Sequence, residues 1–144
     1  MKHESIAVIY DSCQAIAEEI ADKLGAETVC IQNLNLRLIE NCPSFVLTIE
    51  FQSDGNLSHH WQYASQMFEG SNLTGKNIAL LIAYGNKYDT QTSTELICSE
   101  LSRSGAHIIS DKFYADFFEH NLEKTSYLYS KDLDNWISAI SPNL

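Results

Sequence analysis

Positive charge is scarce in this chain: nine Lys and Arg stand against nineteen Asp and Glu, a formal net charge of -10 with a pI near 4.7. Such a surface repels phosphate backbones and anionic membranes, so nucleic acid and lipid headgroups are not expected partners, whereas a basic protein would be attracted. Proline is scarce, with two residues, and so is glycine, with six. No Pro/Gly-rich linker, repeat or low-complexity tract divides the sequence, and a single domain over residues 1–144 is expected. Long apolar runs are missing too. The longest, Ile78 to Ala83, is far below the roughly 20 residues of a membrane span. Met1-Lys2-His3-Glu4-Ser5 leads into no apolar stretch with a small-residue cleavage site, so no secretory signal is read and a cytoplasmic, monomeric protein is expected. Cys13, Cys30, Cys42 and Cys98 show no C-x-x-C spacing, which suits reduced thiols better than a disulfide framework.

What is present is a regular alternation of strand and helix. A chain of this length can bury about two-thirds of the surface its unfolded form exposes. Ser5-Ile6-Ala7-Val8-Ile9-Tyr10 reads as a buried strand and runs directly into a helix in which Ile16, Ala17, Ile20, Ala21 and Leu24 recur at helical spacing before Gly25. Asp11 stands where a helix N-cap would, with Gln14 three residues on. Thr28 to Ile31 is a second strand. Phe45 to Ile49 and Ile78 to Ala83 are continuous apolar runs, which suit central strands covered on both faces. Ser58 can cap a helix with Trp61, Ala64, Ser65 and Phe68 inside, and Thr92 with Glu95 forms a capping box for another that ends at Gly105. Ala106 to Ile109 gives a fifth strand, and Leu133, Trp136, Ile137 and Ile140 mark a last amphipathic helix. Parallel strands joined by right-handed crossovers are the natural assembly, so the expected fold class is α/β: a doubly wound five-stranded parallel sheet in a three-layer α/β/α arrangement.

In such a sheet ligands sit beyond the carboxyl ends of the strands, where the strand order reverses. Three loops define that edge: Tyr10 to Gln14, Gln52 to Asn56, and Tyr84 to Gln91. The adjacent His59 and His60 would point about 100° apart on a helix, which does not suit a shared metal ion. Cys13 at a helix start is where a thiol could be acidified, although a small residue near the cap explains it as well. Phe113-Tyr114-Ala115-Asp116-Phe117-Phe118 either covers a sheet edge or offers a partner surface. A phosphoacceptor reading of Asp11 fails because the third strand ends Thr48-Ile49-Glu50-Phe51, without the Asp it needs. No catalytic residue stands out.

Asp54-Gly55-Asn56-Leu57 with Trp61, then Leu73-Thr74-Gly75-Lys76 before a strand ending Tyr84-Gly85-Asn86, resembles a stretch of the flavodoxin family. There a Gly-Glu-Leu segment precedes an Asp-Trp, followed by Gly-Lys and Gly-Asp-Gln. Downstream, Tyr127-Leu128-Tyr129 followed by Asp132, Asp134, Asn135 and Trp136 looks like the resumed fifth strand and last helix of a long-chain flavodoxin, with Asp111 to Lys124 as a shortened inserted loop. The resemblance covers nearly the whole chain. It implies the flavodoxin-like fold, FMN as cofactor and electron transfer as activity, with Ser12, Gln52, Ser53, Asp54, Gly55, Asn56, Tyr84, Gly85, Asn86 and Tyr88 as the residues placed to touch FMN.

The family's Thr/Ser-x-Thr-Gly-x-Thr loop, which holds the FMN phosphate after the first strand, has no match in Asp11-Ser12-Cys13-Gln14. This turn contains no glycine and is several residues short, and the carboxylate of Asp11 is expected to take N–H donors that a phosphate would need. Gln52 and Ser53 stand near the place of an aromatic that often covers the inner ring face, while Tyr88 lies near the outer stacking tyrosine, beside Lys87. The expected function is therefore a flavodoxin-like protein with a degenerate phosphate site, holding FMN weakly or not at all and acting as an acidic binding or regulatory module in a redox context. The alternative is an FMN-binding electron carrier that tolerates the reduced turn.

Overall fold

A computed structural model describes residues 6–52, 54–84, 87–116 and 130–144, with only the backbone described at 87–89 and 116. Its strands are β1 (Ile6–Tyr10), β2 (Glu27–Cys30), β3 (Ser44–Glu50), β4 (Asn77–Tyr84), β5 (His107–Ile108) and β6 (Phe113–Asp116). The helices are α1 (Gln14–Leu24), α2 (Leu36–Asn41), α3 (His59–Glu69), α4 (Lys87–Arg103) and α5 (Lys131–Ile140). The sheet runs β2-β1-β3-β4-β5, every pairing parallel, and β6 continues on the far side of β4 after β5. The expected fifth strand is thus one position in the sheet made of two short pieces. It resumes at Phe113–Asp116, inside the stretch 111–124 that was expected to be an inserted loop; the expected resumption at 127–129 lies outside the described residues.

Residues alternate between the sheet's two faces, as strand geometry requires. Ile6, Val8, Val46, Leu81 and Ala83 pack with α1 and α5, while Ala7, Ile9, Phe45, Leu47, Ile49, Leu80 and Ile82 pack with α3, α4 and Ile39 of α2. These are the three layers that the alternation of elements implies. On one side Phe45 meets the edge of Phe68 at 5.2 Å between ring centroids; on the other Phe113 lies 5.7 Å from Trp136, whose indole N–H donates to the Asp111 carbonyl at 2.9 Å. The four residues expected to form the inner face of the last helix are all buried. Among the described residues no helix is long and apolar enough to cross a membrane.

Helices α2 and α4 depart from the sequence reading in their existence or bounds. Helix α2 was not anticipated; its signal is Asn35, whose side-chain oxygen accepts from the Leu38 N–H at 2.9 Å, and its carboxyl end is held by buried Lys76, which donates to the carbonyls of Glu40 and Cys42 at 3.0 and 2.7 Å. Helix α4 begins at Lys87, so Thr92 lies inside it instead of capping it. The run Thr90-Gln91-Thr92-Ser93-Thr94 is a weak helix former, but Thr94 returns its hydroxyl to the Thr90 carbonyl at 2.7 Å and Thr90 and Thr94 are buried, so packing overrides the local preference.

Candidate functional site

The strand order reverses between β1 and β3, so the turn after β1 and the loop after β3 lie side by side at the carboxyl edge, with the carboxyl end of β4 next to them. Their conformations follow from the ends of the strands. Thr48 donates its hydroxyl to the Ile9 carbonyl at 2.8 Å, locking β3 to β1. Glu50 is fixed on both sides, since its carbonyl accepts from the Ser58 N–H at 2.9 Å and the next N–H, that of Phe51, donates to Ala83 at 2.8 Å.

The Glu50 side chain enters the first turn. Its carboxylate accepts the Ser12 N–H at 2.8 Å and the Ser12 hydroxyl through a second, short contact. Burial pushes the Glu50 carboxyl up from its ordinary value, against the pull of the two Ser12 donors. Beneath it lies Cys13, 2% exposed, which occupies the N-cap position of α1 without a side-chain capping bond. Burial, with Glu50 adding to it, pushes the Cys13 thiol far up, so this is a neutral packing residue rather than an acidified nucleophile.

Asp11 corrects the sequence reading. It does not cap α1 and takes no helix N–H there; its two carboxylate oxygens lie 3.0 and 3.2 Å from Nδ1 of His60 on α3. The residue that occupies a donor of the turn is Glu50, thirty-eight positions after Ser12. Neither propensity nor spacing could reveal this pairing, because only the parallel pairing of β1 with β3 brings the two together. The second histidine, His59, faces Tyr63 edge-on at 5.1 Å.

The loop after β3 is closed by its own bonds. Gln52 N–H donates to the Asn56 carbonyl at 2.8 Å and Gly55 N–H to the Gln52 carbonyl at 2.9 Å, with Gly55 at φ 87, the left-handed region that glycine enters freely. Asp54 accepts from the Asn56 N–H and side-chain amide at 3.0 and 3.1 Å, and the first of these bonds chiefly holds its carboxyl below the ordinary value. Gln52, Asp54 and Asn56 are exposed; Tyr84 is buried, its ring against Tyr114 at 6.3 Å. Ser53, Gly85 and Asn86, and the side chain of Tyr88, lie outside the described residues. Of the ten residues expected to touch FMN, Ser12 and the Gln52, Asp54, Gly55 and Asn56 group are thus placed on adjacent loops, while Tyr84 is turned into the protein.

FMN, the cofactor the resemblance implies, fits this edge unequally. Ser12 already gives its N–H and hydroxyl to a carboxylate, and Asp11 adds a second negative group to the turn, so a phosphate dianion does not fit there. On the neighbouring loop Gln52, Asp54 and Asn56 present exposed polar side chains from which the edge of a ring would be held.

No family model matches the chain, and no curated protein matches it in sequence. Solved structures do. A Fusobacterium nucleatum flavodoxin bound to flavin mononucleotide is similar over 99% of this chain and 99% of its own, with a TM-score of 0.73 at 17% identity. Flavodoxin 2 from Bacillus cereus is similar over 99% and 100%, with a TM-score of 0.75 at 14% identity. A flavodoxin from Streptococcus pneumoniae TIGR4 is similar over 96% and 97%, with a TM-score of 0.71 at 15% identity. Sheet order, layers and end-to-end similarity agree: this chain has the flavodoxin-like fold.

Proposed function

We propose that the chain is a flavodoxin-type electron-transfer protein that holds a flavin by its ring system, through the 52–56 and 84–88 loops, with the first turn contributing little. The observation that supports this reading is the end-to-end similarity of fold to a flavodoxin that carries FMN. A flavin bound there supplies the redox chemistry, and the acidic chain around it draws a basic protein partner. Each charge-assisted hydrogen bond contributes on the order of 1.5–3 kcal/mol, so two donors withheld from a phosphate weaken FMN by roughly 3–6 kcal/mol, from nanomolar to micromolar or weaker. Fluorescence titration of FMN into the protein tests this. Saturable quenching in the micromolar range is expected, and no saturable quenching with either FMN or riboflavin would overturn it.

The second reading is a module that works without flavin, as an acidic binding or regulatory protein. The sequence places it first, and the specific observation that favours it is the Glu50 carboxylate on Ser12. The similarity of fold favours the flavin reading over it. Freshly purified protein that is colourless and ignores both flavins would restore this second reading to first place.

A further inference from the structure

We propose that Glu50 sets the ligand selectivity of this edge: its carboxylate, held by the N–H and hydroxyl of Ser12, turns away ligands that end in a phosphate and leaves the edge to an uncharged ring system. The choice of a flavin ring rests on the function proposed above, whereas the exclusion of phosphate does not.

Three observations carry it. First, the carboxylate is placed by the sheet, not by a mobile loop: β3 pairs with β1 on one side and β4 on the other, and Glu50 stands level with Ala83 at the end of that ladder. Second, both Ser12 donors point to the same carboxylate, so the turn already holds one anionic group by the geometry with which it would hold another. Third, the neighbouring charges oppose a dianion. Asp11 is the next residue, Cys13 below is a neutral thiol, and His60 from α3 is engaged with Asp11. An incoming phosphate would have to displace Glu50 and then lie beside the carboxylates of Glu50 and Asp11.

The experiment compares riboflavin, FMN and inorganic phosphate on the wild type, Glu50→Gln and Glu50→Ser, by fluorescence and calorimetry, with circular dichroism confirming the fold. The wild type should bind riboflavin at least as tightly as FMN and should not bind phosphate. Glu50→Gln removes the charge and keeps one of the two acceptor oxygens that Ser12 uses, so its FMN affinity should rise about tenfold; Glu50→Ser frees both donors and should gain about a hundredfold or more. Riboflavin should stay unchanged throughout, and phosphate should bind Glu50→Ser alone. A wild type that prefers FMN to riboflavin, or folded variants with unchanged FMN and phosphate affinities, would overturn the proposal. If Glu50→Ser fails to fold, Glu50→Gln and the wild-type comparison still decide. Phosphate bound by Glu50→Ser with no flavin bound by any form would remove the flavin reading while supporting the role of Glu50.

Discussion

At the scale of single residues, the carboxylates of this chain are sorted by their surroundings. Asp54, in open solvent, is held down by donors from Asn56, while Glu50 is pushed up by burial. Glu69, at the end of α3, is pushed up to about 7 by burial, by its hydrogen bond with Glu100 of α4 and by the charge of that residue. Between the ordinary glutamate value of 4.5 and about 7 the native protein therefore keeps a proton on Glu69 that the unfolded chain gives up. An acid raised in this way stabilises the fold fully below the lower value, and its contribution is lost as pH climbs through the upper one. Melting temperature should accordingly fall as pH rises from 4.5 to 7, and Glu69→Gln should flatten that slope. Thermal melts across this window check it; a variant that keeps the full wild-type slope would place the source elsewhere, with Glu50 the next candidate.

At the scale of elements, the junction of α4 and β5 depends on a close approach. Gly105 has φ 107, and a Cβ there would lie 2.6 Å from the Thr74 hydroxyl and 2.8 Å from the Thr74 backbone nitrogen. The contact exists because Leu73 N–H donates to the Ser104 carbonyl at 2.9 Å, which pulls the segment before β4 against the end of α4. Gly75, with φ 82, has nothing within 4 Å of its added Cβ. Gly105→Ala combines backbone strain with a backbone clash and should cost about 2–4 kcal/mol. Gly75→Ala carries the strain alone and should cost about 1–2 kcal/mol. Urea unfolding of the two variants separates the contributions. Equal losses would show that the approach to Thr74 has no weight of its own.

At the scale of the whole molecule, the dominant property is the formal charge of -10 on a parallel sheet with helices on both faces. A basic partner of the kind proposed above would be met through interactions screened over about 8 Å at physiological ionic strength. Binding to such a partner should weaken as salt is raised, mainly through the association rate. Measuring association of a partner at low and high ionic strength checks this; equal binding in both would point to an apolar contact instead, and exposed Tyr114 on β6 would be the first residue to substitute.

The sequence alone determined the sheet and its layers. Phe45 to Ile49 and Ile78 to Ala83 are apolar at every position because both faces of a central parallel strand are covered, and the spacing of Leu133, Trp136, Ile137 and Ile140 leaves one helical face to bury. A first turn that is short and without glycine is also visible in local sequence, and the expectation that it suits a phosphate poorly was read from it. Tertiary structure decided which residue fills that turn. Asp11 looked like the obstacle because it is adjacent in the chain, but the β1–β3 pairing sets Glu50 against Ser12, and the packing of α3 draws Asp11 away to His60. The early start of α4 and the capping of α2 by Lys76 were decided in the same way, by burial and by carbonyl groups that only the folded chain brings within reach.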